Sequence, residues 1–286
     1  MKSLWIILLC LVFTQIFGQT IIKNGQHVAG KWTRKNCPYI IEGEAIVPKD
    51  EKLIIQAGTI VRFKTGENRD YNKEGYNLGF LRVLGQIEAL GTQEKRIIFT
   101  RDQDEGFWGN IFIQSDSTLN NVFEFCLFEY AFYSRFLVTD SSYDGNATGA
   151  LSFYGAHGYA QNCLFANNGW NGLNAKKKSK VKVQDCTFSK NKYAIEINSN
   201  AQIEVMNSIL WDNKKDFWQT TSGKVKFSDC LLQDKLPEDF ISDSNNIFEM
   251  DPYFKDPDNK NFKLSTNSPA KRKTTTKKNV GAFTKD

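Results

Sequence analysis

At 286 residues, with 41% hydrophobic and 24% charged side chains, the chain has a globular composition, neither that of a disordered segment nor that of a membrane bundle. Its 37 basic and 32 acidic side chains leave a net charge of +5, and it lacks the recognisable motif that goes with nucleic-acid binding, so no nucleic-acid partner is expected. The 22 Phe, 10 Tyr and 6 Trp, with no long apolar period of 3.6 residues, point away from helices to an all-β chain.

Residues 1–18 read as a signal peptide. Met1-Lys2 gives a short positive start, Leu4 to Phe17 is apolar but too short to span a bilayer, and small Gly18 suits the position before cleavage, leaving Gln19 as the new N-terminus. No second apolar run reaches transmembrane length. The expectation is a protein that is secreted, or held at the cell surface or in the periplasm.

Residues 19–286 then read as one domain. Within it, 19–63 form an opening coil or cap, with strand-like runs at Tyr39-Ile40-Ile41, Ala45-Ile46-Val47 and Leu53 to Phe63. A polar loop over 64–79 carries Tyr71 and Tyr76. Strands resume at Leu81–Leu84, Gln86–Ala89 and Arg96–Thr100, and the acidic loop Asp102–Glu105 precedes Phe107-Trp108-Gly109-Asn110-Ile111. A second excursion runs from about Tyr133 to Thr148.

Beyond it the chain repeats. Cys163 to Cys186 is 23 residues, Cys186 to Ser208 is 22, and Ser208 to Cys230 is 22. Ala160-Gln161-Asn162-Cys163-Leu164-Phe165 matches Val183-Gln184-Asp185-Cys186-Thr187-Phe188, and the phrases ending at Leu210 and Leu232 follow suit. An earlier copy ends at Phe128. Each phrase sets a small residue two before a large one, which places both on one face of a strand.

The unit is too short for a propeller blade and lacks the Leu framework and helix of a leucine-rich repeat. It suits one turn of a coil of short strands whose successive turns stack about 4.8 Å apart. Three columns result: small Cys126, Cys163, Cys186, Ser208 and Cys230; large Phe128, Phe165, Phe188, Leu210 and Leu232; and Asn168, Asn191 and Asn213, whose amides can bond from coil to coil. The cysteines are read as small buried hydrophobes. The fold class expected is a single-stranded right-handed parallel β-helix, a solenoid of ~22-residue coils, with 233–286 as the closing cap.

At these residues the chain resembles bacterial secreted right-handed parallel β-helix proteins of the pectate-lyase-like superfold. Asn162-Cys163-Leu164-Phe165-Ala166-Asn167-Asn168 looks like their Asn-Cys-x-Phe-x-Asn-Asn coil signature, and Trp108-Gly109-Asn110-Ile111 their Trp-Gly-Gly-Ile. Asp251-Pro252-Tyr253-Phe254, Ser268-Pro269-Ala270 and Gly281-Ala282-Phe283 resemble their ending, although Lys271 to Lys278 replaces the apolar-acidic pair usual there. The resemblance implies fold and export; it supplies no reaction.

Function has to be sought outside the columns. A polysaccharide lyase would stack acidic groups for Ca²⁺ with a Lys or Arg base, and Asp185, Asn207 and Asp229, near Lys182, Lys226 or Arg135, are the candidates. The same Asp and Asn are also what a tight bend favours. No cofactor is required, Ca²⁺ being the one cation considered. A glycoside hydrolase would need facing carboxylates, for which Asp102, Asp104, Glu105, Asp140 and Asp144 are available. Aromatic and basic side chains on the polar stretches fit sugar binding instead: Tyr133, Tyr143, Tyr154 and Trp170, with Lys176 and Lys178. The leading reading is an exported, non-catalytic module binding a polysaccharide or cell-surface glycan. A lyase or hydrolase on acidic polysaccharide, and a structural or adhesin-like surface protein, are the alternatives.

Overall fold

The structure, a computed structural model, describes residues 18–66, 78–135, 146–219, 222–237, 240–243, 245–271 and 279–283; the side chains of 133–135, 146, 147 and 219 lie outside that description. The strands form three parallel sheets of ten, eight and nine strands, here A, B and C, visited in that order by each turn of the chain. Eight complete coils result. They open with the sheet A strands Thr20–Ile22, Tyr39–Ile41, Ile60–Phe63, Ile97–Arg101, Cys126–Glu129, Leu164–Ala166, Thr187–Ser189 and Ile209–Trp211.

Registration makes the columns real. Phe128 pairs with Phe165, Phe165 with Phe188, Phe188 with Leu210 and Leu210 with Leu232. The rings of Phe99, Phe128, Phe165 and Phe188 lie nearly parallel, with centroids 5.0, 4.7 and 4.5 Å apart. Each is fully buried, which contributes about 1.5–3 kcal/mol per side chain. The four repeat cysteines beside them are free and buried, with thiols directed at backbone carbonyls, as Cys186 Sγ to Ala160 O at 3.4 Å. Burial pushes the Cys126 and Cys186 thiols well above the ordinary range and Cys230 to about 12. With all four at zero exposure, they sit as packing in the core.

The asparagine column is a hydrogen-bonded ladder. Asn168 Nδ2 donates to Asn191 Oδ1 at 2.8 Å, and Asn191 Nδ2 to Asn213 Oδ1 at 2.9 Å. Asn213 Nδ2 then donates to Asp216 Oδ1 at 3.3 Å, and the other oxygen of Asp216 accepts the N–H groups of Gln233 and Asp234. Asp216 thus ends the ladder. Burial, reinforced by the nearby Asp234 charge, raises its carboxyl to about 7 even though those amides oppose the shift.

Bends between sheets C and A hold Phe125, Asn162, Asp185, Asn207 and Asp229 at φ 49, 52, 53, 49 and 55. Asn and Asp tolerate this left-handed conformation better than most side chains. That is the physical reason for their recurrence before each small residue.

The C-terminal segment does two things. Phe240 packs on Phe217 and Phe227, while Ile247–Phe248 adds a strand to Leu231–Leu232; together they cover the last coil. Residues 254–271 and 279–283 lie back along the outer face of sheet A. Phe262 and Ala282 bury Leu164 and Ala166, and Leu264, Ala270 and Val280 bury Ile209 and Leu231. Ala282 N–H donates to Thr187 Oγ1 at 2.9 Å, and Arg96 donates to Ala282 O at 2.7 Å and Asn162 O at 2.6 Å. At φ +94, Gly281 adopts a conformation L side chains rarely take, and a Cβ there would lie 2.8 Å from Thr187 Oγ1. The tail is bound as a strap.

Candidate functional site

With the strap over the later coils of sheet A, the outer faces of sheets B and C and the first coils of sheet A, where Ile21 and Arg62 are exposed, stay open. On sheet C the exposed positions alternate strictly with buried ones, as in Lys180–Gln184, the pattern of a solvated face. Lys182 lies 3.8 Å from Glu204 there, and both are exposed. A shallow groove of about 430 Å³ is lined by His157, Tyr159, Lys180, Lys182, Gln202 and Glu204, among others. Burial and the Asp185 charge raise the Tyr159 phenol to about 12, and its hydroxyl bonds Gln184 Oε1 at 3.2 Å.

Sheet B differs. Leu173, Ile195 and Phe217 stack inward, so Asn174, Glu196 and Trp218 stand one above another on the outer face, headed by Phe112 and Ser152. The aromatics Phe107, Phe132, Trp170, Tyr193 and Trp218 form a line at the adjacent corner, with successive centroids 5.6, 5.8, 6.4 and 5.1 Å apart. Trp218 is 40% exposed. Lys192 Nζ lies 3.2 Å from the Trp170 ring centroid, and burial with the Lys214 charge lowers its pKa. Lys177 Nζ lies 4.7 Å from the Tyr154 centroid.

Beside this line the antiparallel hairpin of Tyr133–Arg135 and Asn146–Thr148 stands against sheet B. Thr148 Oγ1 donates to Glu196 Oε2 at 2.8 Å and accepts from Asn174 Nδ2 at 2.8 Å and Asn171 Nδ2 at 3.3 Å. Asn198 Nδ2 donates to Glu196 Oε1 at 2.7 Å, and Asn171 Nδ2 donates to Glu196 Oε2. Asn171, Asn174, Glu196 and Asn198 are all buried, an uncommon state for so polar a set on an outward column.

Residues 101–232 match the family model described as a right handed beta helix region. The chain is a right-handed parallel β-helix protein. No curated protein matches it. In this β-helix the matched stretch runs from the end of the fourth coil's sheet A strand to Leu232, so it holds the whole sheet B site.

Of the residues singled out from sequence, Tyr154 and Trp170 lie on the sheet B side, and Lys176 is buried in the strand Asn171–Lys176 of that sheet. Lys178 is exposed at the bend toward sheet C, at φ 62. Tyr133 pairs by its backbone with Thr148; its side chain, and Tyr143 with Asp140 and Asp144, fall outside the described residues. Asp185, Asn207 and Asp229 form one column at the C–A bend. Asn207 Nδ2 donates to Asp185 Oδ1 and, at 3.1 Å, to Asn279 O of the strap, while Gln161 and Gln184 donate to Asp185 Oδ2. Asp102 accepts the Thr65 N–H at 3.0 Å, whereas Asp104 and Glu105 are exposed. Among the described residues no three His, Cys, Asp or Glu gather to hold a metal ion.

Sequence reasoning missed Tyr193, Trp218, Asn171, Asn174, Glu196 and Asn198. A signal existed: Asn174, Glu196 and Trp218 follow one another at the same 22-residue spacing as the core columns.

Proposed function

We propose that this β-helix is a non-catalytic module binding a polysaccharide or cell-surface glycan along the outer face of sheet B, outside the cytoplasm. The observation that carries the reading is the line Trp170, Tyr193 and Trp218 running coil to coil beside the amide- and carboxylate-bearing column of sheet B. Aromatic faces suit the apolar faces of sugar rings, and amides and carboxylates suit their hydroxyls. A row advancing one coil at a time favours a linear chain over a single sugar.

The test is binding of the protein to immobilised neutral and acidic polysaccharides. Wild type is expected to be retained on at least one, with Trp170→Ala and Trp218→Ala each weakening retention tenfold or more. Absence of wild-type binding to every polysaccharide, or unchanged binding in both variants, overturns the reading. Recovery from the medium of a chain beginning at Gln19 tests export.

A second reading, a lyase or hydrolase on acidic polysaccharide, draws on the sheet C groove, where His157, Tyr159, Lys182 and Glu204 converge. Release of unsaturated or reducing ends, abolished by Lys182→Ala, supports it.

A further inference from the structure

The outward column under the strap does not end where the strap ends. Leu164 pairs with Leu127, Leu127 with Ile98 and Ile98 with Ile60, one coil at each step. Leu127 and Phe283 are the half-buried margin of the strap cluster that holds Leu164 and Phe262. Past that margin each coil turns one isoleucine outward: Ile98, Ile60, Ile40 and Ile21, all outside both strap clusters. The first three are half-buried, and Ile21 is 40% exposed. The apolar run that is covered on coils five to eight thus continues uncovered over coils four to one.

Cations rim the uncovered stretch. Arg62 is in register with Ile40, Lys64 lies two residues beyond it, and both are exposed. Ahead of Ile60, exposed Arg34 and Lys95 close on Gly58, with side-chain carbons 3.4 and 3.6 Å from where its Cβ would stand. Among the described residues none of these four makes an ion pair. Of the carboxylates on these coils, Glu42 is held by Lys23 at 2.6 Å, and Glu94 is exposed next to Lys95 in the chain.

The strap shows how such a column is covered. Its alternate residues step along the coils: Val280 packs with Ile209 and Leu231, and Ala282 packs with Leu164 and Ala166. Phe262 and Leu264 make the same step in reverse. An extended segment crossing the strands, apolar at every second position, is therefore what fits the column. Two copies joined through this face would set cation against cation, so charge disfavours self-pairing. One isoleucine per coil, without Trp or Tyr beside it, is too narrow for a lipid surface.

We propose that sheet A of coils one to four docks an extended acidic peptide segment of another protein. Alternate apolar side chains of that segment lie on Ile98, Ile60, Ile40 and Ile21, and its carboxylates meet Arg62, Lys64, Arg34 and Lys95. Crossing four coils takes three spacings of about 4.8 Å, which about five extended residues span. The proposal is independent of the glycan reading on sheet B.

The experiment is a fluorescence-anisotropy titration of the full chain with a labelled peptide of about seven residues in which Asp alternates with Leu. Saturable binding is expected, weakened at least tenfold in Arg62→Glu and in Ile98→Thr, and weakened by added NaCl. Absence of saturable binding, equal binding of the peptide with Lys in place of Asp, or unchanged binding in Arg62→Glu overturns the proposal. Should Ile98→Thr fail to fold, Arg62→Glu decides, since that side chain is exposed. Light scattering and flotation with phosphatidylglycerol vesicles test the other occupants. Dimers, or vesicle binding, that Arg62→Glu abolishes would give the face to a second copy or to a membrane and overturn the peptide assignment.

Discussion

The outer faces of sheets A and B are built on the same coils, yet they carry opposite chemistry. Sheet A turns Leu164, Ala166, Ile209 and Leu231 outward, because Phe262, Leu264, Val280 and Ala282 lie on them. Sheet B turns Ser152, Asn174, Glu196 and Trp218 outward, and its cover is a hydrogen-bonded hairpin. A parallel strand packed on both faces reads as a continuous apolar run, as in Leu164-Phe165-Ala166. An outward column thus reports what it faces. Apolar outward residues report an apolar cover, and buried polar ones report a hydrogen-bonded cover.

The contrast can be broken at the strap. Phe262→Ala is expected to cost about 3–5 kcal/mol, since the ring is fully buried between the strap and sheet A. Hydrogen exchange should rise in the sheet A strands of coils six to eight and stay unchanged in sheet C. Uniform loosening of all three sheets would show that the strap is part of one indivisible core.

Asp216 separates ladder from faces. Its folded pKa of about 7 lies above the ordinary carboxylate value, so the folded state binds the extra proton between about pH 4 and 7. Its contribution is fully present below pH 4 and is lost as pH rises to 7, with a slope of at most about 1.4 kcal/mol per pH unit. Asp216→Asn should remove that slope when urea midpoints are compared at pH 4.5 and 7.5. A difference between variant and wild type that is constant across the range would refute it.

Asn191→Ala deletes rungs to Asn168, Asn213 and Phe165 O and should cost about 1–3 kcal/mol, read from denaturant unfolding. Trp218→Ala, on the exposed end of the aromatic line, should change stability by less than about 0.5 kcal/mol while weakening glycan retention. Equal losses in the two properties would mean that the tryptophan serves the fold.

The inner columns were legible in the sequence because they repeat. Cysteine, phenylalanine and asparagine recur at 22 or 23 residues, and each recurrence has one physical cause: core volume, ring stacking or a ladder of amides. The bend Asp and Asn were legible for the same reason, through their left-handed backbone. The sheet B site was only half legible. Tyr154 and Trp170 stood out as aromatics, but Glu196 meets Thr148 across 48 residues, a contact that no period announces. The strap was not legible either. Its binding residues are scattered and follow no period.

The strap also acts as a gauge. It touches Arg96 at the start of coil four, Thr187 and the Asn207 carbonyl around coil seven, and Leu231 beyond coil eight, with side chains that meet only when the coils between are correct in number. Solenoids lengthen readily by duplicating a unit. Here one added coil between Arg96 and Leu231 would shift the far anchors by one strand spacing, about 4.8 Å, and strand the tail out of step. A chain that is repetitive inside is thereby held to one length by a part of itself that does not repeat.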